Sequence, residues 1–142
     1  MIKDWSLEEL LVNQKIEPMM KPPITKVQLA QYAGASGDFN PLHLDDEFAR
    51  KIGMDGVVAH GMLVMGFLGE YVMKIAAQQA KVVNFTMRFG KMTFPGDEIR
   101  CSAIVERIVE EDGKRWIALD LTAEKKSGEV VGSGSAILQL ND

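Results

Sequence analysis

Within the stretch GASGDFNPLH, residues 34–43, an acid, Asp38, and a base, His43, stand five positions apart. A carboxylate beside an imidazole is a proton-moving pair: the imidazole, with an unperturbed pKa of about 6.5, takes and returns protons near neutral pH, and the carboxylate orients it. On an unbroken helix a spacing of five would leave the two side chains pointing apart. The residues between them argue against such a helix. Gly37 loosens the backbone ahead of the acid, and Pro41 drives Asn40 out of the α region into an extended or turn conformation. A bend there lets Asp38 and His43 converge on one point. On spacing alone, a structural hydrogen bond between a loop Asp and a loop His is the commoner meaning of such a pair. The chain has only two histidines, and the second, His60, opens another glycine-containing segment, AHGM.

Composition limits what surrounds this pair. A chain of 142 residues without a Ser/Gly-rich or charged linker predicts a single domain spanning 1–142. Its 46% apolar content can build a full core, and its net charge of -4 argues against a nucleic-acid binder, which would show a basic stripe. A lone Cys101 excludes an intrachain disulfide and a multi-cysteine metal site, and suits a reducing, cytoplasmic location. The beginning MIKDWSLEELL carries acids and does not read as a secretory signal; Glu70 and Lys74 interrupt the longest apolar run, so no membrane span is expected.

The positioning elements follow from pattern. Residues 5–12 predict a short amphipathic turn, and KIEPMM a first strand kept short by Pro18 and Pro22. Thr25 and Gln28 form a capping-box pattern, which predicts a helix from Thr25 to Tyr32 or Ala33 with Gly34 as its stop. Asp45 caps a second short helix, with Asp46 and Glu47 in its first turn, an end near Ile52 and Gly53 beyond it. The main helix is predicted from Gly61 to Gln79. Its first half, Met62 to Leu68, is apolar nearly all round and reads as buried; Glu70, Lys74 and Gln78 mark its exposed face. Gly66 and Gly69 each cost roughly 1 kcal/mol against alanine inside a helix, which argues for a close neighbour there. Beyond Lys81 the period becomes two: Val83, Phe85, Met87 and Phe89 on one face, Asn84, Thr86 and Arg88 on the other. FPGDE, EDGK and KKSGE are turns, so the C-terminal half predicts a four-strand antiparallel meander. The class is α+β: a sheet wrapped around one long helix, with edges and an outer face that a dimer would cover.

The run from Tyr32 to His43, YAGASGDFNPLH, followed by Ala49, closely resembles the signature of the MaoC-like, (R)-specific enoyl-thioester hydratases. The resemblance continues through VVAHGMLVMGFL and TFPGDEI and covers the chain from about Thr25 onward. It implies the hot-dog fold, a curved antiparallel sheet around a long helix, dimerised through side-by-side sheets. It also implies reversible hydration of trans-2-enoyl thioesters of coenzyme A or acyl carrier protein. The short single-hot-dog dehydratases are the nearest subgroup, and neither the carrier nor the choice of homodimer or heterodimer is specified. Under it, Asp38 and His43 are the catalytic pair holding a water, Asn40 supports the loop, and Gly61 presents its backbone N–H to the thioester carbonyl. The free N–H groups at a helix start, with the dipole behind them, suit that oxyanion role. Some relatives carry a serine where this chain has Gly66 and Gly69, so a difference in rate or chain-length preference is expected. No cofactor or metal is implied.

Other residues carry two readings. His60 is a second acid/base group or, preferred, a satisfied structural histidine beside the site. Met62 and Met65 are an acyl channel or plain core. Arg88, Lys91 and Arg100 grip carrier phosphates or, preferred, face water, and Cys101 is inert core. A non-catalytic thioester-binding or partner subunit is the rival function, although such a subunit would be expected to lose Asp38 or His43. A hot-dog thioesterase is weaker, because it would not need the GDFNPLH turn.

Overall fold

The computed structural model describes residues 6–142. The start of the predicted 5–12 turn lies outside them; the rest holds a 3-10 turn at Leu7–Glu9. Five strands, β1 Lys15–Met20, β2 Ala80–Phe89, β3 Ile99–Glu111, β4 Lys114–Lys125 and β5 Val130–Leu140, form one antiparallel sheet in the order β1-β3-β4-β5-β2. Three helices, α1 Lys26–Ser36, α2 Asp46–Lys51 and α3 Gly61–Ala76, lie between β1 and β2 in the chain. Leu63, Val64, Phe67, Leu68, Tyr71, Val72 and Ile75 of α3 pack onto one sheet face, against such residues as Val105, Ile117, Leu119, Leu121 and Leu138. This is the expected α+β hot-dog arrangement.

The local signals met their structures closely. Thr25 Oγ1 accepts the Gln28 N–H at 3.0 Å, and Asp45 Oδ1 accepts from Glu47 at 3.0 Å and Phe48 at 3.3 Å. Asp112 and Gly113 both take positive φ, 52° and 75°, as a two-residue hairpin turn requires. Two helix ends differ from expectation. α1 runs through Gly34 to Ser36 and stops at Gly37, whose φ of 77° makes it the left-handed cap. α3 ends at Ala76, three residues early, because Ala77 turns to positive φ.

The four-strand meander is corrected to three. β3, β4 and β5 follow one another, but β2 pairs with β5 at the far edge. No tight turn joins β2 to β3; residues 90–98 cross the end of the sheet and are held there by Ala59 N–H to Thr93 O at 2.7 Å and Gly96 N–H to Ile24 O at 2.7 Å. Within β2 the register shifts between Val82 and Asn84, so Val82, Phe85 and Met87 meet the core while Val83 is 46% exposed. A bulge moves the intervening residue off the face that strict alternation assigns to it. The all-round burial expected for the first half of α3 is corrected too: Met62 is 54% exposed, and an added Cβ at Gly66 would meet nothing within 4 Å. A helix lying on a sheet buries one side, and among the described residues nothing covers the other at Gly66.

Two contacts bind the frame. Tyr71 Oη donates to the Glu17 carbonyl at 2.9 Å, at the register shift of β1 beside Pro18, and burial pushes the phenol pKa upward. At Gly134 of β5, a Cβ would overlap the Thr86 carbonyl, so glycine is what lets β2 coil closely over β5. Gly134→Ala is therefore expected to lower stability by about 1–3 kcal/mol through forced separation of the strands. Gly66→Ala, in open space, is expected to raise it by up to about 1 kcal/mol. Urea titrations of the two variants check the contrast; equal effects would contradict it.

Candidate active site

The site is assembled where α1 ends, a 3-10 turn begins and α3 starts. Gly37 ends α1 in the left-handed region, and Asp38 N–H then donates to Ser36 Oγ at 3.2 Å. Asn40 N–H donates to Asp38 Oδ1 at 3.2 Å, and Asn40 Oδ1 accepts from Leu42 N–H at 3.0 Å, capping the turn Pro41–His43. Asn40 itself is extended (φ −55°, ψ 126°), as the following proline demands. The bend expected between Gly37 and Pro41 is present, and Asn40 organises it.

His43 Nδ1 lies 2.6 Å from the Val58 carbonyl. A carbonyl only accepts, so Nδ1 carries a hydrogen, and in the neutral ring Nε2 keeps a lone pair. That Nε2 faces Asp38 Oδ2 at 3.8 Å, too far for a direct hydrogen bond and near enough for both atoms to hold one water or hydroxyl. The Asp38 side chain is 51% exposed, whereas most of the His43 ring is covered.

The segment behind His43 is pinned at successive residues. Val57 N–H donates to Asp46 Oδ1 at 2.9 Å, Val58 N–H to Leu42 O at 3.1 Å, and Ala59 N–H to Thr93 O at 2.7 Å. Asp46 also accepts from Lys26 Nζ, tying the start of α1 to α2 and to this segment. The Lys26 hydrogen bond foremost, then the Val57 N–H, hold the Asp46 carboxyl below its usual value.

His60 is 2% exposed and stands at the N-cap of α3. Its ring stacks on His43 with centroids 3.9 Å apart and 24° between planes, and Tyr32 meets it edge-on at 4.8 Å. Its Nε2 lies 3.1 Å from the Asp38 carbonyl, while its Nδ1 is buried and has no hydrogen-bond partner among the described residues. An unsatisfied buried polar atom costs about 1–3 kcal/mol. The preferred reading of His60 as a structural histidine beside the site agrees with its burial and with its Nε2 contact to the Asp38 carbonyl. Donor atoms of Asp38, His43 and His60 lie within 4.8 Å of one another, but the set does not fit a shared metal ion as arranged. One nitrogen of each ring is committed to a backbone carbonyl, and lone pairs in two nearly parallel stacked planes do not converge on a point between them.

Gly61 opens α3, where the first N–H groups lack partners within the helix. A Cβ there would meet the Phe89 ring at 3.0 Å. Phe89, at the end of β2 and 54% exposed, thus leaves little room for a side chain at 61 unless its ring shifts, a neighbour that strand alternation did not reveal. Arg88, Lys91 and Arg100 are exposed, and Cys101 is buried with its thiol pushed up to about 12 by burial, so it stays protonated and inert. The contacts that Tyr32, Asp46 and Phe89 make around the site left no signal of their own in the sequence.

A five-stranded antiparallel sheet packed on one long helix is the hot-dog fold. Residues 9–127 match the MaoC like domain, and the chain belongs to that family. It is 28% identical over 136 residues to the (R)-specific enoyl-CoA hydratase of Aeromonas caviae, covering 95% of this chain and 98% of that one. The solved structure of the (R)-hydratase from A. caviae superposes with a TM-score of 0.83 at 27% identity, over 94% of this chain and 99% of the other. A mitochondrial 3-hydroxyacyl-[acyl-carrier-protein] dehydratase of Arabidopsis thaliana is 32% identical over 110 residues, 75% of this chain and 66% of its own length. Two further relatives are far longer, and the chain spans only 5% and 12% of them. The expected fold and the expected enzyme class, a hydro-lyase, both stand on this membership. Among the described residues no helix is long and apolar enough to cross a membrane.

Because the Asp46 carboxyl is held low in the fold, its clamp contributes stability above the ordinary value of 3.8 and loses it as pH falls through the depressed folded value. Asp46→Asn is expected to melt lower than the parent at neutral pH and to lose less on acidification. Thermal melts from neutral pH to below the carboxylate range check this; parallel curves for the two proteins would contradict it.

Proposed function

We propose that this chain catalyses reversible hydration of trans-2-enoyl thioesters to (R)-3-hydroxyacyl thioesters. The observation that carries the reading is the 3.8 Å gap between His43 Nε2, a base with its lone pair free, and the Asp38 carboxylate. A water held there by both groups adds its oxygen to C3 of the enoyl group. The C2–C3 π electrons shift toward the thioester carbonyl, and the charge growing on that oxygen meets the Gly61 N–H at the positive end of α3. The pair takes one proton from the water and returns one to C2, so protons balance with no redox partner. Asn40 fixes the loop that presents Asp38, and His60 lies beneath His43. A single domain over residues 1–142 is sufficient for this chemistry.

The substrate class is an acyl thioester of coenzyme A or of acyl carrier protein, as the names of the A. caviae and A. thaliana relatives suggest for each carrier. A homodimer is proposed as the working state. The outer edge of the ten-residue β2 pairs with no strand among the described residues, and the exposed Met62 and Met73 leave α3 open on one side. A heterodimer with a second hot-dog subunit is the alternative. A non-catalytic thioester-binding subunit takes second place, since it has no use for a base nitrogen held free toward a carboxylate.

Asp38→Asn or His43→Ala is expected to cut turnover by at least ~10²-fold with the fold intact, as for other proton-transfer residues. Loss of enoyl absorbance from crotonyl-CoA and a longer enoyl-CoA measures it, with free thiol followed in parallel. Near-normal turnover in both variants would place catalysis elsewhere, and thiol release without hydration would make the chain a thioesterase. Light scattering of the purified chain is expected to give twice the 15.7 kDa chain mass, and a monomer that hydrates at full rate would contradict the dimer.

A further inference from the structure

We propose that His60 is a positioning residue for the Asp38/His43 pair, acting through an imidazole that keeps its hydrogen on Nε2 and lends its face to the His43 ring. The kinetic part of this inference rests on the hydration reading; the tautomer part does not.

His60 touches both members of the pair by different means. Its Nε2, 3.1 Å from the Asp38 carbonyl, must be the donor, because that oxygen can only accept. The hydrogen bond holds the backbone from which the Asp38 carboxylate projects. Its ring face, 3.9 Å from that of His43, limits the tilt of the catalytic imidazole, whose remaining in-plane freedom is removed by the Val58 carbonyl. Tyr32 packs edge-on against His60, so three rings run in series from α1, through the N-cap of α3, to the turn Pro41–His43. The last two carry the helix start and the base, and α1 leads through Gly37 directly into the acid.

The chemistry of the buried ring sharpens the role. With the hydrogen on Nε2, the other nitrogen of His60 carries a lone pair and lies buried without a partner among the described residues. An apolar aromatic residue would fill this space without that penalty but would lose the hold on the Asp38 carbonyl. A hydrogen-bonding amide would keep the hold and lose the flat face. Only an imidazole or a similar polar ring does both. When His43 Nε2 accepts the proton of the water, the ring that takes it is already seated flat against the His60 face and need not move.

Two substitutions separate the functions: His60→Phe keeps the face and removes the donor, and His60→Gln keeps a donor and removes the face. Each is expected to lower kcat for crotonyl-CoA hydration ~10-fold or more with KM little changed, as when reacting groups shift by a fraction of an ångström. In a His43→Ala background neither is expected to lower the residual rate further, since residues acting as one unit are not additive. Full kcat in both single variants, or losses that add undiminished to that of His43→Ala, would overturn the proposal. If one variant fails to fold, the other retains the cycle. Nitrogen-15 NMR of the ring nitrogens in the unmodified chain supplies an arm independent of turnover. It is expected to find the His60 hydrogen on Nε2 and the His43 hydrogen on Nδ1, and a His60 hydrogen on Nδ1 would overturn the proposal even with rapid hydration. Expected tautomers in a chain that hydrates no enoyl thioester would fault the reaction assigned to the site and leave the ring arrangement standing.

Discussion

The hydrogen bond from His43 Nδ1 to the Val58 carbonyl sets the terms for everything around it. It decides which ring nitrogen carries a hydrogen, aims the other nitrogen at Asp38, and joins the turn after α1 to the segment that leads into α3. It holds only if Val58 is held. Asp46, Leu42 and Thr93 fix Val57, Val58 and Ala59 in succession, and they come from α2, the turn and the β2–β3 crossover respectively. Two neighbouring parts of the chain, the turn and α2, and one far along it, the β2–β3 crossover, therefore converge to orient one ring.

The sheet contributes by closing tightly around α3. The glycines of β5 let β2 approach so closely that Phe89, at the end of that edge strand, reaches the first residue of the helix. Gly61 is thus constrained from the protein side as well as by any ligand that would use its N–H. On the other edge, Tyr71 ties α3 to β1 where Pro18 and the register shift interrupt the ladder. α3 is thus held at its start against the edge strand β2 and in its second half against β1.

Much of this was legible because its causes are local. The Gly37–Pro41 bend, the caps at Thr25 and Asp45 and the Asp-Gly turn follow from residues within a few positions of each other. What escaped was set by distant partners. Gly34 looked like a helix stop, yet a glycine inside a helix is tolerated, and the positive φ fell at Gly37. Strict alternation put Val83 on the core face, but pairing with β5 introduced a bulge. A meander was the simplest use of four strands, yet the long 90–98 connection carried β2 to the opposite edge. In the site, Asp38, His43, Asn40 and Gly61 stood out by type and motif. The stacking of His60 on His43, the Lys26–Asp46–Val57 clamp and the Phe89 contact arise from tertiary packing, which leaves no spacing rule to read.

The proposed reaction needs an acid and a base around one water instead of in contact with each other. A crystal structure at a resolution that shows ordered water tests this most directly. The expected result is one water within hydrogen-bond distance of both Asp38 Oδ2 and His43 Nε2, with the Nδ1–Val58 bond intact. A carboxylate closed directly onto the imidazole, or a His43 ring turned away from Val58, would contradict it.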